Sequence, residues 1–245
     1  MKHIGLFEGI GGFSLAAKWM GWETVAWCEI NPFCQSVLKK RFPSAEALED
    51  ITKINFTKYA NRIDVLTGGF PCQPFSTAGE GKGEKDERFL FPEMLRAIRE
   101  IKPRWVVAEN VRGLTARKFK NVFEQICSSL ENEGYTVLPL LIPATAVGAN
   151  HERYRLWIVA YSNITGLQGS GALLGCLQSK EIKDWKTSGL INFIQRYSMP
   201  YVCRDHNGIS RKLDGNRLMA LGNAVVPQLV FKIFQAIQDY ENLNQ

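Results

Sequence analysis

Ile4-Gly5-Leu6-Phe7-Glu8-Gly9-Ile10-Gly11-Gly12-Phe13 joins a short apolar run to a glycine-rich turn, and a helical pattern follows over roughly 12–20. Strand, tight turn and helix in that order open an α/β sheet. Glycine lets the chain reverse sharply and lets a ligand approach the backbone. Glu29 stands at the end of the next apolar run, Thr24-Val25-Ala26-Trp27-Cys28. An acid about 20 residues beyond such glycines is placed to accept hydrogen bonds from ribose hydroxyls. The pair points to a nucleoside cofactor, either a dinucleotide or S-adenosylmethionine.

The pattern continues outward from this unit. A helix is expected from Pro32 to about Lys40, with proline in its first turn. Ile63-Asp64-Val65-Leu66-Thr67 and Arg104-Trp105-Val106-Val107-Ala108 read as strands, with a helix over roughly 90–100 before the second. A helix from about Phe119 to Glu133 leads to Thr136-Val137-Leu138, and Leu156-Trp157-Ile158-Val159-Ala160 is the last clear strand. Alternation of this size implies a Rossmann-like, mostly parallel α/β sheet with helices on both faces, and ligands beyond the carboxyl ends of its strands. Periodicity breaks down after Ser162 and returns near Asn216, with a final helix expected from about Ala224 to Tyr240. The expected organisation is a catalytic domain over 1–161 plus 216–245, interrupted by a small lobe over 162–215.

Composition narrows the classes. The chain has 245 residues, 45% hydrophobic and 22% charged, ordinary values for a chain that buries a core. No run approaches the roughly 18 apolar residues of a membrane span, and the N-terminus lacks the pattern of a signal peptide. A cytoplasmic protein without a membrane partner is expected. Six cysteines without a C-x-x-C pair argue for reduced thiols and against a zinc cluster, so no metal site is expected. The net charge of +6 permits a polyanionic partner without requiring one.

A second motif follows the third strand: Gly68-Gly69-Phe70-Pro71-Cys72-Gln73-Pro74-Phe75-Ser76. A lone cysteine is usually a small core hydrophobe, but Pro, Gln, Pro and Ser are poor core neighbours. Here the chain resembles the DNA (cytosine-5) methyltransferase family, of compact bacterial or phage type, whose nucleophile lies in a Pro-Cys-Gln motif. The resemblance continues in order. Glu109-Asn110-Val111 is similar to the family's Glu-Asn-Val, and Gly148-Ala149-Asn150-His151-Glu152-Arg153-Tyr154-Arg155 resembles its Gln-x-Arg-x-Arg motif. Leu221-Gly222-Asn223-Ala224-Val225-Val226-Pro227 is similar to its Gly-Asn-x-Val-x-Pro motif. His151 stands where the family often has Gln, and Asn150 where it often has Pro.

The resemblance implies a DNA (cytosine-5-)-methyltransferase using S-adenosyl-L-methionine, with a covalent Cys72 adduct on a flipped-out cytosine of double-stranded DNA. It implies that Glu109 contacts N3 and the exocyclic amine, that Arg155 contacts O2, and that Arg153 supports the closed loop or a phosphate. Carbon 5 of cytosine is a poor nucleophile, and thiolate addition at carbon 6 makes the ring enamine-like. A free thiol ionises at about 8.5, so Cys72 needs local help or proton transfer on attack. Negative charge then grows on N3, so Glu109 must hold a proton there, which a desolvated pocket could arrange. On the cofactor, the resemblance implies Phe7 packing on adenine and Glu29 on the ribose hydroxyls. Ile30 would flank the base, Asp50 would accept from the adenine amine, and Asn223 would stand near the methionine end. Gly9, Gly11, Gly12, Ile51, Pro71 and Leu90 complete the expected pocket. By itself Asp50 also reads as a cap or turn residue.

For the substrate, Gln73, Ser76, Arg88 and Asn110 are the expected contacts near the base, joined by Arg196, Arg204 and Arg211 in the lobe. The loop between Cys72 and Phe91 is polar and glycine-rich, as a segment closing over an extruded base would be. The lobe spans roughly 50 residues and lacks the Arg-rich motif that usually precedes Gly-Asn. Residues 166–220 carry eight basic and four acidic residues, against 21 and 18 in residues 1–165. The expected setting is restriction–modification or phage and host DNA protection, as a monomer, with any companion endonuclease acting separately. Two alternatives stay open: the same chemistry on tRNA, and a catalytically impaired DNA-binding homologue. A dinucleotide-dependent oxidoreductase is a distant further reading, because it would not require Pro-Cys-Gln-Pro.

Overall fold

The computed structural model describes residues 1–71, 89–163 and 223–243. Its strands are β1 (Lys2–Leu6), β2 (Glu23–Cys28), β3 (Glu46–Leu48), β4 (Val65–Gly68), β5 (Trp105–Val111), β6 (Tyr135–Pro143) and β7 (Tyr154–Ser162). The helices that bear on the site are α1 (Gly12–Trp19), α2 (Pro32–Arg41), α3 (Phe91–Ile101), α4 (Lys120–Asn132) and α5 (Pro227–Leu243). The strands form one sheet in the order β3-β2-β1-β4-β5-β7-β6.

The parallel part, β3 to β5, matches the expected alternation. β7 runs antiparallel to β5, and β6 antiparallel to β7, so the sheet is mixed at one edge. β3 is a three-residue edge strand, Glu46-Ala47-Leu48, with no apolar run to announce it. α5 begins at Pro227, three residues later than its expected start at Ala224.

The central strands read as continuous apolar runs because both of their faces are covered. On one face Ile4, Leu6, Leu66 and Val106 pack with Met94 and Ile98 of α3 and Ile126 and Leu130 of α4. On the other, Val65, Val107 and Trp157 pack with Phe13 of α1 and Ile233 and Phe234 of α5. A buried imidazole lies on that second face. His3 bridges Thr24 Oγ1 at 3.2 Å and Thr67 Oγ1 at 2.9 Å, and burial pushes its pKa down to about 3, so it stays neutral.

α5 is fastened to the sheet at its end. Glu241, 4% exposed, accepts from Trp105 Nε1 at 2.8 Å and pairs with Arg104 at 2.9 Å. The C-terminal helix therefore completes the same core as the N-terminal half. The lobe expected over 162–215 lies outside the described residues except for Ser162 and Asn163. No helix of the described residues is long and apolar enough to cross a membrane.

Strand order reverses at β1. The chain moves outward through β2 and β3, then returns to β4 on the other side, where Leu6 and Gly68 are in register. The carboxyl ends of β1 and β4 thus flank the crevice where open α/β sheets bind ligands. The glycine-rich turn leaves one of these strands and Gly69-Phe70-Pro71 leaves the other.

Candidate active site

The turn after β1 reverses through three left-handed residues, with φ of 52° at Phe7, 57° at Gly9 and 92° at Gly11. Gly11 is the N-cap of α1. Gly12 must be glycine for packing, because a Cβ there would lie 2.5 Å from Val225 Cγ2. Above Gly9 the space is open, with nothing within 4 Å of an added Cβ. Glu29 Oε2 accepts from Gly9 N at 2.7 Å and Oε1 from Asn31 N at 2.8 Å. These bonds fix the carboxylate beside the glycine loop while each oxygen keeps a further lone pair. Ile30 next to it is 68% exposed. An open glycine backbone, a fixed carboxylate and an uncovered apolar side chain at the switch point fit the ribose and adenine of S-adenosylmethionine.

Ile51, one of the expected cofactor residues, is buried in the core. Asp50 serves as the cap that its sequence position also suggested. Its Oδ1 accepts from Thr52 N at 3.1 Å and Thr52 Oγ1 at 2.7 Å, and Lys53 stands 3.2 Å from Oδ2. The Thr52 bonds and Lys53 hold its pKa below the ordinary carboxylate value. Arg96 of α3 donates to the carbonyls of Ile51 at 2.6 Å and Ile54 at 2.9 Å, tying this segment to α3. Leu90 is the N-cap of α3, Leu90 and Pro71 are half-buried, and Asn223 is exposed.

The second half of the site lies across β5 and β7. Val111 faces Arg155 in the antiparallel register, which makes Glu109 and Arg155 diagonal neighbours on one face. Arg155 Nε contacts Glu109 Oε1 at 2.8 Å, and the guanidinium also donates from Nη1 to the Tyr154 carbonyl at 3.0 Å. The Glu109 carboxyl is largely shielded, its side chain 12% exposed, and loss of solvent pushes its pKa up to about 7 against the opposing pull of Arg155 and Arg153. It can therefore hold a proton near neutrality and still share it with a partner. An added Cβ on Gly69 would lie 3.5 Å from Glu109 Oε2 and 4.0 Å from the Phe7 carbonyl. Gly69 thus brings the carboxylate and the cofactor loop to the same place.

Asn110 turns away from the crevice. It is 1% exposed, its Nδ2 donates to the Phe70 carbonyl at 3.1 Å, and its Oδ1 accepts from Val111 N at 2.8 Å. It holds the backbone two residues before Cys72. Cys72, Gln73, Ser76, Arg88, Arg196, Arg204 and Arg211 lie outside the described residues. The three described thiols are poor nucleophiles. Burial pushes Cys28 up to about 12, and Cys34 and Cys127 up to about 11.

Glu8 was not among the expected site residues. It is 3% exposed and occupies the space that a Cβ on Gly5 would fill. Its Oε1 accepts from Ser14 N at 2.7 Å, capping α1 from beneath, while Oε2 and Ser14 Oγ have no hydrogen-bond partner among the described residues. Burial pushes its pKa up to about 7, with the Glu29 charge adding to the rise. The available signal was Gly5, a glycine inside a buried strand, which marks a close approach.

The profile of the family described as C-5 cytosine-specific DNA methylase matches residues 1–213. The chain is 40% identical over 161 residues to the Type II methyltransferase M.Eco47II of Escherichia coli, covering 64% of this chain and 39% of that protein. It is 26% identical over 242 residues to M.HgiCII of Herpetosiphon aurantiacus, covering 98% of this chain and 54% of that one. The chain thus spans about half or less of the length of these relatives. Among solved structures, a DNMT2 variant from Spodoptera frugiperda superimposes with a TM-score of 0.63 at 16% identity, over 96% of this chain and 98% of that one, a likeness of fold. The chain belongs to the C-5 cytosine-specific DNA methylase family.

Proposed function

We propose that this protein transfers a methyl group from S-adenosyl-L-methionine to carbon 5 of a cytosine flipped out of double-stranded DNA, with Cys72 as nucleophile. The observation that carries the reading is Glu109, a largely shielded carboxyl near the end of β5 whose pKa is pushed up to about 7 beside Arg155. A carboxyl that retains its proton near neutrality is what N3 of cytosine requires as a thiolate adds to carbon 6. Cys72 forms the bond to carbon 6, Glu109 delivers its proton to N3, and Arg155 offsets charge growing on O2. S-adenosylmethionine supplies an electrophilic methyl group on a sulfonium. Glu29 would orient its ribose, Phe7 and Ile30 would enclose the adenine, and Ile51 would close the wall behind it. Loss of the carbon 5 proton and departure of Cys72 then restore the aromatic ring. Asn110 fixes the carbonyl of Phe70 and so positions the strand exit that leads to Cys72.

The lobe residues Arg196, Arg204 and Arg211 would read or grip the target. The setting would be restriction–modification or phage and host DNA protection, with the enzyme acting as a cytoplasmic monomer and any cognate endonuclease acting separately.

The test is a duplex pool containing 5-fluorocytosine, incubated with the chain and S-adenosylmethionine. Fluorine at carbon 5 cannot leave as a proton does, so the adduct should persist through denaturing electrophoresis. Cys72→Ser should form none while still binding the cofactor. Failure of the unaltered chain to form the adduct would sink the reading, as would labelling of tRNA alone by radioactive S-adenosylmethionine. Glu109→Gln keeps the shape and loses the proton donor, and should lower the transfer rate by roughly 100-fold or more.

A further inference from the structure

β5 delivers Glu109 to the site and then leaves the sheet through two 3-10 turns, Arg112–Thr115 and Arg117–Phe119, before α4 begins at Lys120. Residues 112–120 carry four basic side chains, Arg112, Arg117, Lys118 and Lys120, and no acid. Leu114 and Phe119 are buried and pin the turns to the core. The four basic residues are all exposed.

Neighbouring charges do little to neutralise the segment. Lys120 faces Glu124 at 3.4 Å, with both side chains well exposed, a pairing worth little in water. Among the described residues, Arg112, Arg117 and Lys118 have no carboxylate within 4.0 Å. Arg112 and Lys118 instead lie over aromatic rings, 5.3 Å from the Tyr154 centroid and 4.6 Å from that of Phe119. Tyr154 is the residue between Arg153 and Arg155, so Arg112 extends the cationic surface from the turns to the Glu109–Arg155 pair. Without these nine residues, residues 1–165 hold 17 basic and 18 acidic side chains. The positive excess of residues 1–165 is therefore concentrated in this segment, at the carboxyl end of β5.

Basic runs commonly form nothing more than a solvated face. This one differs in having almost no acidic neutralisation, in being held by two buried side chains, and in adjoining the catalytic carboxylate. We infer that residues 112–120 form a strap that grips the phosphate backbone of duplex DNA beside the flipped base, independently of base sequence. This rests on the proposed function for its choice of duplex DNA among polyanions.

The test is direct binding of a fluorescent duplex across a series of salt concentrations, using the full chain. The double variant Arg117→Ala/Lys118→Ala should weaken binding roughly 5- to 50-fold at about 0.1 M salt. It should also flatten the log–log salt dependence by about 1 to 2. Its affinity for S-adenosylmethionine, measured by calorimetry, should be unchanged, showing that it folds. Lys39→Ala/Lys40→Ala makes the same change of charge at the exposed end of α2 and should leave the slope intact. Equal slopes for the unaltered chain and the strap variant would overturn the inference. So would an equal loss in the α2 control, or a slope change seen on tRNA but not on duplex DNA. DNA binding with the expected slope change but without methyl transfer would sink the proposed activity and leave the strap standing.

Discussion

At the scale of single residues, buried carboxyls dominate the behaviour of the site. Glu8 is buried and Glu109 largely shielded from solvent, and both have pKa values pushed up to about 7 from 4.5. An acid whose folded pKa lies above its unfolded value contributes fully to stability below about 4.5. That contribution is lost as pH rises through about 7. Glu8 carries this effect without a catalytic duty assigned to it. Glu8→Gln keeps an oxygen to accept from Ser14 N and gives the unpartnered Ser14 Oγ a neighbouring amide. The variant should therefore be more stable than the unaltered protein at pH 8, by at most about 3 kcal/mol, and melt several degrees higher. The gap should vanish near pH 4.5. A gap of the same size at both pH values would mean that packing, not ionisation, sets the difference. His3 acts in the opposite sense at lower pH. Its pKa is pushed down to about 3, so its contribution is present above about 6.5 and fades as pH falls toward 3. A carboxylate in a glycine turn looks solvent-facing in the sequence. Only the missing Cβ of Gly5, two strand positions below the turn, opens the space that buries it.

At the scale of elements, α5 shows how the chain after the lobe supports the site. Trp22 stacks on Phe234 at 4.6 Å, Trp22 Nε1 reaches Gln238 at 3.0 Å, and Trp105 Nε1 reaches Glu241 at 2.8 Å. Glu241→Ala removes the carboxylate that accepts from the buried Trp105 indole, a loss of about 1–3 kcal/mol. Arg104 is nearly half exposed and adds little to that figure. Thermal unfolding should show a melting point lower by several degrees, and Glu241→Gln should recover most of it by restoring an acceptor. Equal losses in the two variants would assign the effect to charge instead of the indole bond. The same scale shows where sequence reading works and where it stops. The central strands were legible because burial on both faces makes their apolar runs continuous. β3 was not, since Glu46-Ala47-Leu48 at an edge needs little hydrophobicity to pair. The reversed direction of β7 was equally hidden, because an apolar run reports burial but not polarity of pairing. Glu29, Glu109 and Arg155 stand at strand ends in motif order, and that order already placed Glu109 and Arg155 on neighbouring strands, where they meet. Asn110 and Asp50 were less legible, because hydrogen bonds to Phe70 and Thr52 determine which way each side chain turns.

At the scale of the whole molecule, charge divides between two places with different tasks. The strap adds four basic residues beside a fixed catalytic edge, and residues 166–220 hold eight basic residues against four acidic ones. Contacts to phosphate set affinity and its salt dependence, while contacts to base edges set which sequence is chosen. A strap held to the core by Leu114 and Phe119 has no means of telling one base from another. In the proposed function, sequence reading falls to Arg196, Arg204 and Arg211, arginine being suited to guanine. The two sets of variants should therefore separate in cells. Bisulfite sequencing of DNA from cells expressing the strap variant Arg117→Ala/Lys118→Ala should show the original target methylated at lower occupancy throughout. Arg196→Ala, Arg204→Ala or Arg211→Ala should change the occupancy unevenly, with relaxed preference at particular positions of the target, where a lost base contact costs about 1–3 kcal/mol. A uniform fall in all three lobe variants would place those arginines on phosphate and move the reading of sequence elsewhere in the lobe. A shift of target in the strap variant would show that the strap reaches the bases.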